Sequence, residues 1–99
     1  MDRTQILEIV LKAVDATNMG RTDELKLEVS PTAPLFGARS PLDSLGLVAL
    51  LIDVEEAFAG QGCTVVLSDE RALSQRRSPF RDVPSLVEYI ERLLTEQAA

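Results

Sequence analysis

Apolar residues recur at intervals of three and four over much of the chain, a spacing that predicts amphipathic α-helices. The pattern is clearest in one stretch near each end. The apolar positions of the first stretch, over about residues 3–17, are Ile6, Leu7, Val10, Leu11 and Val14. Those of the last stretch, which Asp82 or Ser85 can cap, are Leu86, Val87, Ile90, Leu93 and Leu94. Each stretch therefore predicts a helix with one buried face.

A further helix is predicted over about residues 44–59, where Asp43 can serve as the N-cap and Gly60 can end the helix. Its predicted core face consists of Leu47, Leu50, Leu51, Val54 and Phe58. Leu45, Val48 and Ile52 fall roughly on the opposite side. Since a surface helix needs only one buried face, this second patch is either buried in a crowded bundle or exposed to partners.

The segments between the helices carry turn signals. Residues 18–42 contain several glycines and prolines and predict a long ordered loop, in which Leu35 and Phe36 pack as apolar anchors. Residues 63–67 form a short apolar stretch without a convincing partner strand, so we expect a loop that leads into a short helix at about residues 70–74. The 99 residues thus predict one all-α domain with three principal helices, one short helix and a long first loop.

The composition narrows the range of possible functions. Ten basic and sixteen acidic residues give a formal charge of −6, which argues against nucleic acid and favours basic protein partners or simple solubility. The chain has no histidine, which excludes Ser-His and Cys-His nucleophiles and imidazole metal sites. The single cysteine, Cys63, is expected to be a packed or surface thiol. The sequence shows no signal peptide and no long apolar span, so we expect a cytoplasmic protein. Since it also shows no metal spacing, we expect that the protein is not an enzyme. We further expect a monomer.

The start of the second helix holds the best candidate site. Ser44 follows the predicted N-cap Asp43, so it should lie in the first helical turn. Backbone N–H groups there lack intrahelical partners and the helix dipole favours an anion, so a phosphodiester on Ser44 would be well placed. The simpler interpretation is that Asp43 and Ser44 only cap the helix.

The triplet Asp43-Ser44-Leu45 and the acidic end of the same helix, at Glu55 and Glu56, resemble the attachment site of acyl carrier proteins. The predicted order of helices and loops is also similar to that family over nearly the whole chain. The resemblance implies an acyl-carrier-like bundle in which Ser44 carries 4'-phosphopantetheine, donated by coenzyme A. It implies that Asp43 belongs to the attachment motif.

The resemblance also implies a set of partners. These would be a phosphopantetheinyl transferase, an acyl- or aminoacyl-loading ligase, and a downstream acyltransferase or condensing enzyme. Residues matching apolar and acidic recognition positions of the family are Leu45, Val48, Ile52, Glu55 and Glu56. Acidic clusters on a helix are otherwise most often a solvated face.

Two departures from the carriers of fatty-acid synthesis bear on the cargo. Pro41 stands where a glycine commonly precedes the triplet, and Gly46 and Ala49 stand where acidic residues are common. Gly46 either permits close approach of a partner or is incidental. The motif is closer to D-alanyl carrier proteins and to stand-alone carriers with a dedicated ligase, which leaves fatty acyl, polyketide and aminoacyl cargoes open. A non-covalent helical interaction domain is the alternative.

Overall fold

The computed structural model describes residues 2–36, 42–67 and 80–98. Within these ranges it contains three α-helices, α1 (Arg3–Asn18), α2 (Ser44–Ala59) and α3 (Val83–Ala98), and a 3-10 helix at Asp23–Leu25. These ranges hold no β-strand, only an isolated antiparallel bridge between Pro34 and Asp82. The all-α prediction is therefore confirmed. The short helix predicted at about residues 70–74 lies outside the described residues.

The first helix begins at a capping box. The Asp2 carboxylate accepts a hydrogen bond from the Gln5 N–H at 2.9 Å, and the Gln5 side-chain oxygen accepts one from the Asp2 N–H at 3.0 Å. This reciprocal pair satisfies two backbone donors that the helix itself leaves without partners. The helix therefore has a defined start, one residue after Asp2.

The core lies where α1 packs against both α2 and α3. The predicted inner positions of α2, from Leu47 to Phe58, are all buried. Leu35 of the first loop is fully buried as well, and Phe36 packs at the margin of the core. The fully buried larger side chains are Phe58, Phe80, Ile6, Leu35, Leu50, Leu51, Leu67, Leu86, Ile90, Val10, Val14 and Val54. The helical spacing of apolar residues thus identified the core faces. Among the predicted helix positions of these faces, only Leu7, Leu11, Leu93 and Leu94 are half-buried, and they pack against the margin of the core.

The long first loop is fixed at its start by the side chain of Asn18. The Asn18 Nδ2 donates to the Leu27 carbonyl at 2.8 Å, and the Asn18 Oδ1 accepts from the Leu27 N–H at 2.7 Å. Both residues are buried. Because one amide satisfies both backbone groups of Leu27, the loop can pass over the core without a partner strand.

A second attachment joins the loop to the start of α3. The Val83 N–H donates to the Ala33 carbonyl at 2.9 Å, and the Leu35 N–H donates to the Arg81 carbonyl at 2.9 Å. The Asp82 carboxylate accepts from the Ser85 N–H at 2.8 Å. Of the two predicted N-caps, Asp82 and Ser85, it is therefore Asp82 that caps α3.

We expect Asn18→Ala to lower the free energy of unfolding by about 1–3 kcal/mol, because two buried backbone groups of Leu27 would lose their partner. Denaturant unfolding measures this change. Thr17→Ala is the matched control, since the neighbouring residue loses only the Thr17 Oγ1 to Ala13 carbonyl bond within α1. Equal stability of the two variants would show that the Asn18 amide does not stabilise the loop.

Candidate functional site

The cap at the start of α2 is formed by Asp43. Its Oδ1 accepts a hydrogen bond from the Gly46 N–H at 2.7 Å, and its carbonyl accepts one from the Leu47 N–H at 2.9 Å. Ser44 is the first residue of the helix. The predicted cap is confirmed, and Ser44 lies in the turn where backbone donors lack helical acceptors. Pro41, two residues before the cap, lies outside the described residues.

Gly46 lies against other side chains of the same chain. A Cβ atom at this position would lie 2.8 Å from Leu42 Cδ1, 3.0 Å from Asp43 Oδ1 and 3.1 Å from Arg21 Nη2. Leu42 is buried, and Arg21 is held by a hydrogen bond from its Nη1 to the Leu25 carbonyl at 2.9 Å. The glycine therefore leaves room for internal packing beside the cap. Internal packing therefore explains why a glycine stands at position 46, without the close approach of a partner protein.

An apolar surface follows Ser44 on the outer side of α2. Leu45 is 80% exposed, Val48 is 37% exposed and Ile52 is 42% exposed. We call these three residues the outer patch. Because the opposite stripe of α2 is buried, the choice left open by the sequence resolves to an exposed patch. Residues 44–52 carry no charged side chain, so the patch is uniformly apolar.

The acidic residues at the end of α2 differ in their surroundings. Glu56 is exposed, as is Asp53. Glu55 is half-buried, and its Oε2 accepts a hydrogen bond from the Leu67 N–H at 2.9 Å. The predicted acidic pair is thus divided into one solvent-facing carboxylate and one that binds backbone.

Two further residue types bear on chemistry. Cys63 is half-buried, and its Sγ lies 3.9 Å from the Gln61 carbonyl oxygen. Over residues 2–36, 42–67 and 80–98 no group of histidine, cysteine or acidic side chains is arranged to hold a metal ion. None of the three described α-helices is long and apolar enough to cross a membrane.

The sequence did not indicate two contacts beside the site. Arg21 reaches Gly46 from the first loop, and Glu55 reaches Leu67 from α2. Both contacts join residues far apart in sequence, and neither has a periodic or capping signal. They follow only from the packing of α2.

Comparisons of the chain with protein-family models, curated proteins and solved structures find no match.

We expect Gly46→Ala to lower the free energy of unfolding. Alanine gains about 1 kcal/mol of helix propensity over glycine, but overpacking against Leu42 costs about 1–3 kcal/mol. In a Leu42→Ala background, which removes the nearest atom, the same change should be neutral or stabilising. Denaturant unfolding of the two singles and the double variant measures this coupling. An identical effect of Gly46→Ala in both backgrounds would show that Leu42 does not restrict this position.

We expect Val48→Asp and Ile52→Asp each to change the free energy of unfolding by less than about 1 kcal/mol, because both side chains are exposed. Leu51→Asp is the matched control on the same helix. It buries an unpaired carboxylate and should cost several kcal/mol or prevent folding. Thermal unfolding monitored by circular dichroism compares the three. A large loss at Val48 would place the outer patch inside the folded protein.

Proposed function

We propose that the protein is a carrier that holds an acyl or aminoacyl group as a thioester on a 4'-phosphopantetheine arm attached to Ser44. The observation that carries the proposal is the cap geometry. The Asp43 carboxylate accepts a hydrogen bond from the Gly46 N–H and caps α2. Ser44, the middle residue of an Asp-Ser-Leu triplet, is therefore the first residue of this helix. Three α-helices and a long first loop in the described residues are compatible with an acyl-carrier-like bundle.

The residues at the start of α2 fit the chemistry of a phosphodiester. Its charge would lie at the positive end of the helix dipole, near backbone N–H groups without helical acceptors. The hydrogen bond from the Gly46 N–H to the Asp43 carboxylate fixes the position at which the helix begins. When attached, the arm supplies a terminal thiol that holds the cargo. Tethering of this kind raises the effective concentration of the cargo at successive enzymes.

Partner recognition is assigned to the surface that follows Ser44. Leu45, Val48 and Ile52 give an exposed apolar contact, and the exposed carboxylate of Glu56 suits basic groups on an enzyme. The proposed partners are a phosphopantetheinyl transferase, a loading ligase, and an acyltransferase or condensing enzyme. The net charge of −6 is compatible with basic docking surfaces.

A second candidate is a non-covalent helical interaction domain. It is favoured by the outer patch, since an exposed apolar helix face can bind a protein without any prosthetic group. In that case Ser44 has only a structural role at the helix start. Covalent modification separates the two candidates.

We expect intact-mass analysis to show the gain of one phosphopantetheine when the protein is incubated with coenzyme A and a broad-specificity phosphopantetheinyl transferase. Ser44→Ala should fold and gain nothing. Ser85→Ala is the matched control, because Ser85 also lies in the first turn of a helix with an aspartate cap but lacks the triplet. That variant should be modified like the wild type.

Absence of modification in the wild type across several transferases would contradict the carrier proposal and favour the interaction domain. A mass gain in Ser44→Ala would move the attachment to another residue.

A further inference from the structure

Glu55 binds the peptide group between Val66 and Leu67. The bond from the Leu67 N–H to the Glu55 Oε2 is 2.9 Å long and spans twelve positions of the chain. A carboxylate that accepts from a backbone N–H makes a stronger bond than a neutral acceptor. Glu55 therefore fastens the segment 63–67, which follows α2, to the flank of the helix.

The fastened segment has one buried and one exposed side. Val65 and Leu67 are buried, whereas Thr64 and Val66 are exposed. Val66 is 49% exposed and contributes its carbonyl carbon to the peptide group that Glu55 binds. An exposed apolar side chain thus belongs to the residue whose peptide group Glu55 binds.

This contact lies on the flank of α2, between the buried stripe and the outer patch. At 100° per residue, Glu55 falls within about 20° of Val48 and about 60° of Ile52 around the helix axis. Glu55 therefore binds the Leu67 amide at the edge of the patch. Val48 and Ile52 on α2 and Val66 on the segment are each exposed apolar side chains.

The neighbouring carboxylate serves as a natural comparison. Glu56 is exposed, and its carboxylate makes no hydrogen bond or ion pair within residues 2–36, 42–67 and 80–98. It is one residue away on the same helix and has the same charge. A comparison of changes at Glu55 and Glu56 therefore removes the general effect of losing a carboxylate from this end of the helix.

We propose that Glu55 is a positioning residue that fixes Val66 beside the outer patch, so that the docking surface of the carrier spans α2 and the segment 63–67. Glu55 acts through its acceptor oxygen, and Glu56 supplies the charge that enzymes contact. This proposal rests on the proposed carrier function, because the partner that docks on this surface is the enzyme that modifies Ser44.

Hydrogen exchange at the Leu67 amide tests the bond. Glu55→Ala should speed exchange by about ten- to hundredfold, the equivalent of one hydrogen bond to a charged group. Glu55→Gln keeps an acceptor oxygen and should retain most of the protection. Glu56→Ala, the matched control, should leave Leu67 unchanged. Exchange that is equally fast in wild type and Glu55→Ala would overturn the proposal.

Transfer kinetics with coenzyme A and a broad-specificity phosphopantetheinyl transferase test the function of the bond. Glu55→Ala should raise the KM for the carrier severalfold at a temperature well below unfolding, with little change in kcat. Glu55→Gln should restore a KM near the wild-type value, whereas Glu56→Gln should raise it because a contact charge is lost. Val66→Asp should raise the KM as Glu55→Ala does.

The outcomes separate two failures. If the wild type takes no phosphopantetheine, the carrier function fails. If the wild type is modified but Glu55→Ala matches it in KM, the positioning role fails. If Glu55→Gln is as impaired as Glu55→Ala while its Leu67 amide stays protected, the charge of Glu55 is itself the contact, and the proposal is overturned.

Discussion

The burial of one stripe of α2 against α1 fixes the rotation of the helix on which the candidate site depends. The helix is apolar on both sides, so its sequence predicts a core face but does not decide whether the second patch is buried as well. Five side chains, Leu47, Leu50, Leu51, Val54 and Phe58, occupy the core. Each contributes about 1.5–3 kcal/mol when fully buried, and the outer patch has only three apolar residues to offer in exchange. The inner stripe therefore takes the core, and Leu45, Val48 and Ile52 remain outside.

The first loop has no partner strand in the described residues and depends on individual polar contacts. Asn18 binds Leu27 near its beginning, and Ala33 and Leu35 bind the backbone around Asp82 near its middle. These bonds satisfy buried backbone groups that would otherwise be costly. They also place Arg21 beside the first turn of α2, where it contacts the space next to Gly46. The surroundings of the site are therefore set partly by residues more than twenty positions away.

Local signals made much of this structure predictable. The bounds of α2 follow from a cap aspartate and a terminal glycine, and the apolar spacing gave the buried faces of α1, α2 and α3. The Asn18 clamp, the crowding at Gly46 and the bond from Glu55 to Leu67 had no such signal, because each joins segments that meet only after folding. Which acidic residue on α2 faces solvent was unpredictable for the same reason. The carrier assignment of Ser44 remains a hypothesis from its motif.

The packing around Gly46 explains one of the two positions, Gly46 and Ala49, at which the start of α2 lacks an acidic residue. Any side chain at this position would meet Leu42, Asp43 and Arg21 before it reached the outer surface. An acidic residue there would therefore compete with the cap. Ala49 is exposed, so a carboxylate at that position would project into solvent. The weakly charged start of α2 is therefore a property of Ala49 and the outer patch, while Gly46 is explained by internal packing beside the cap.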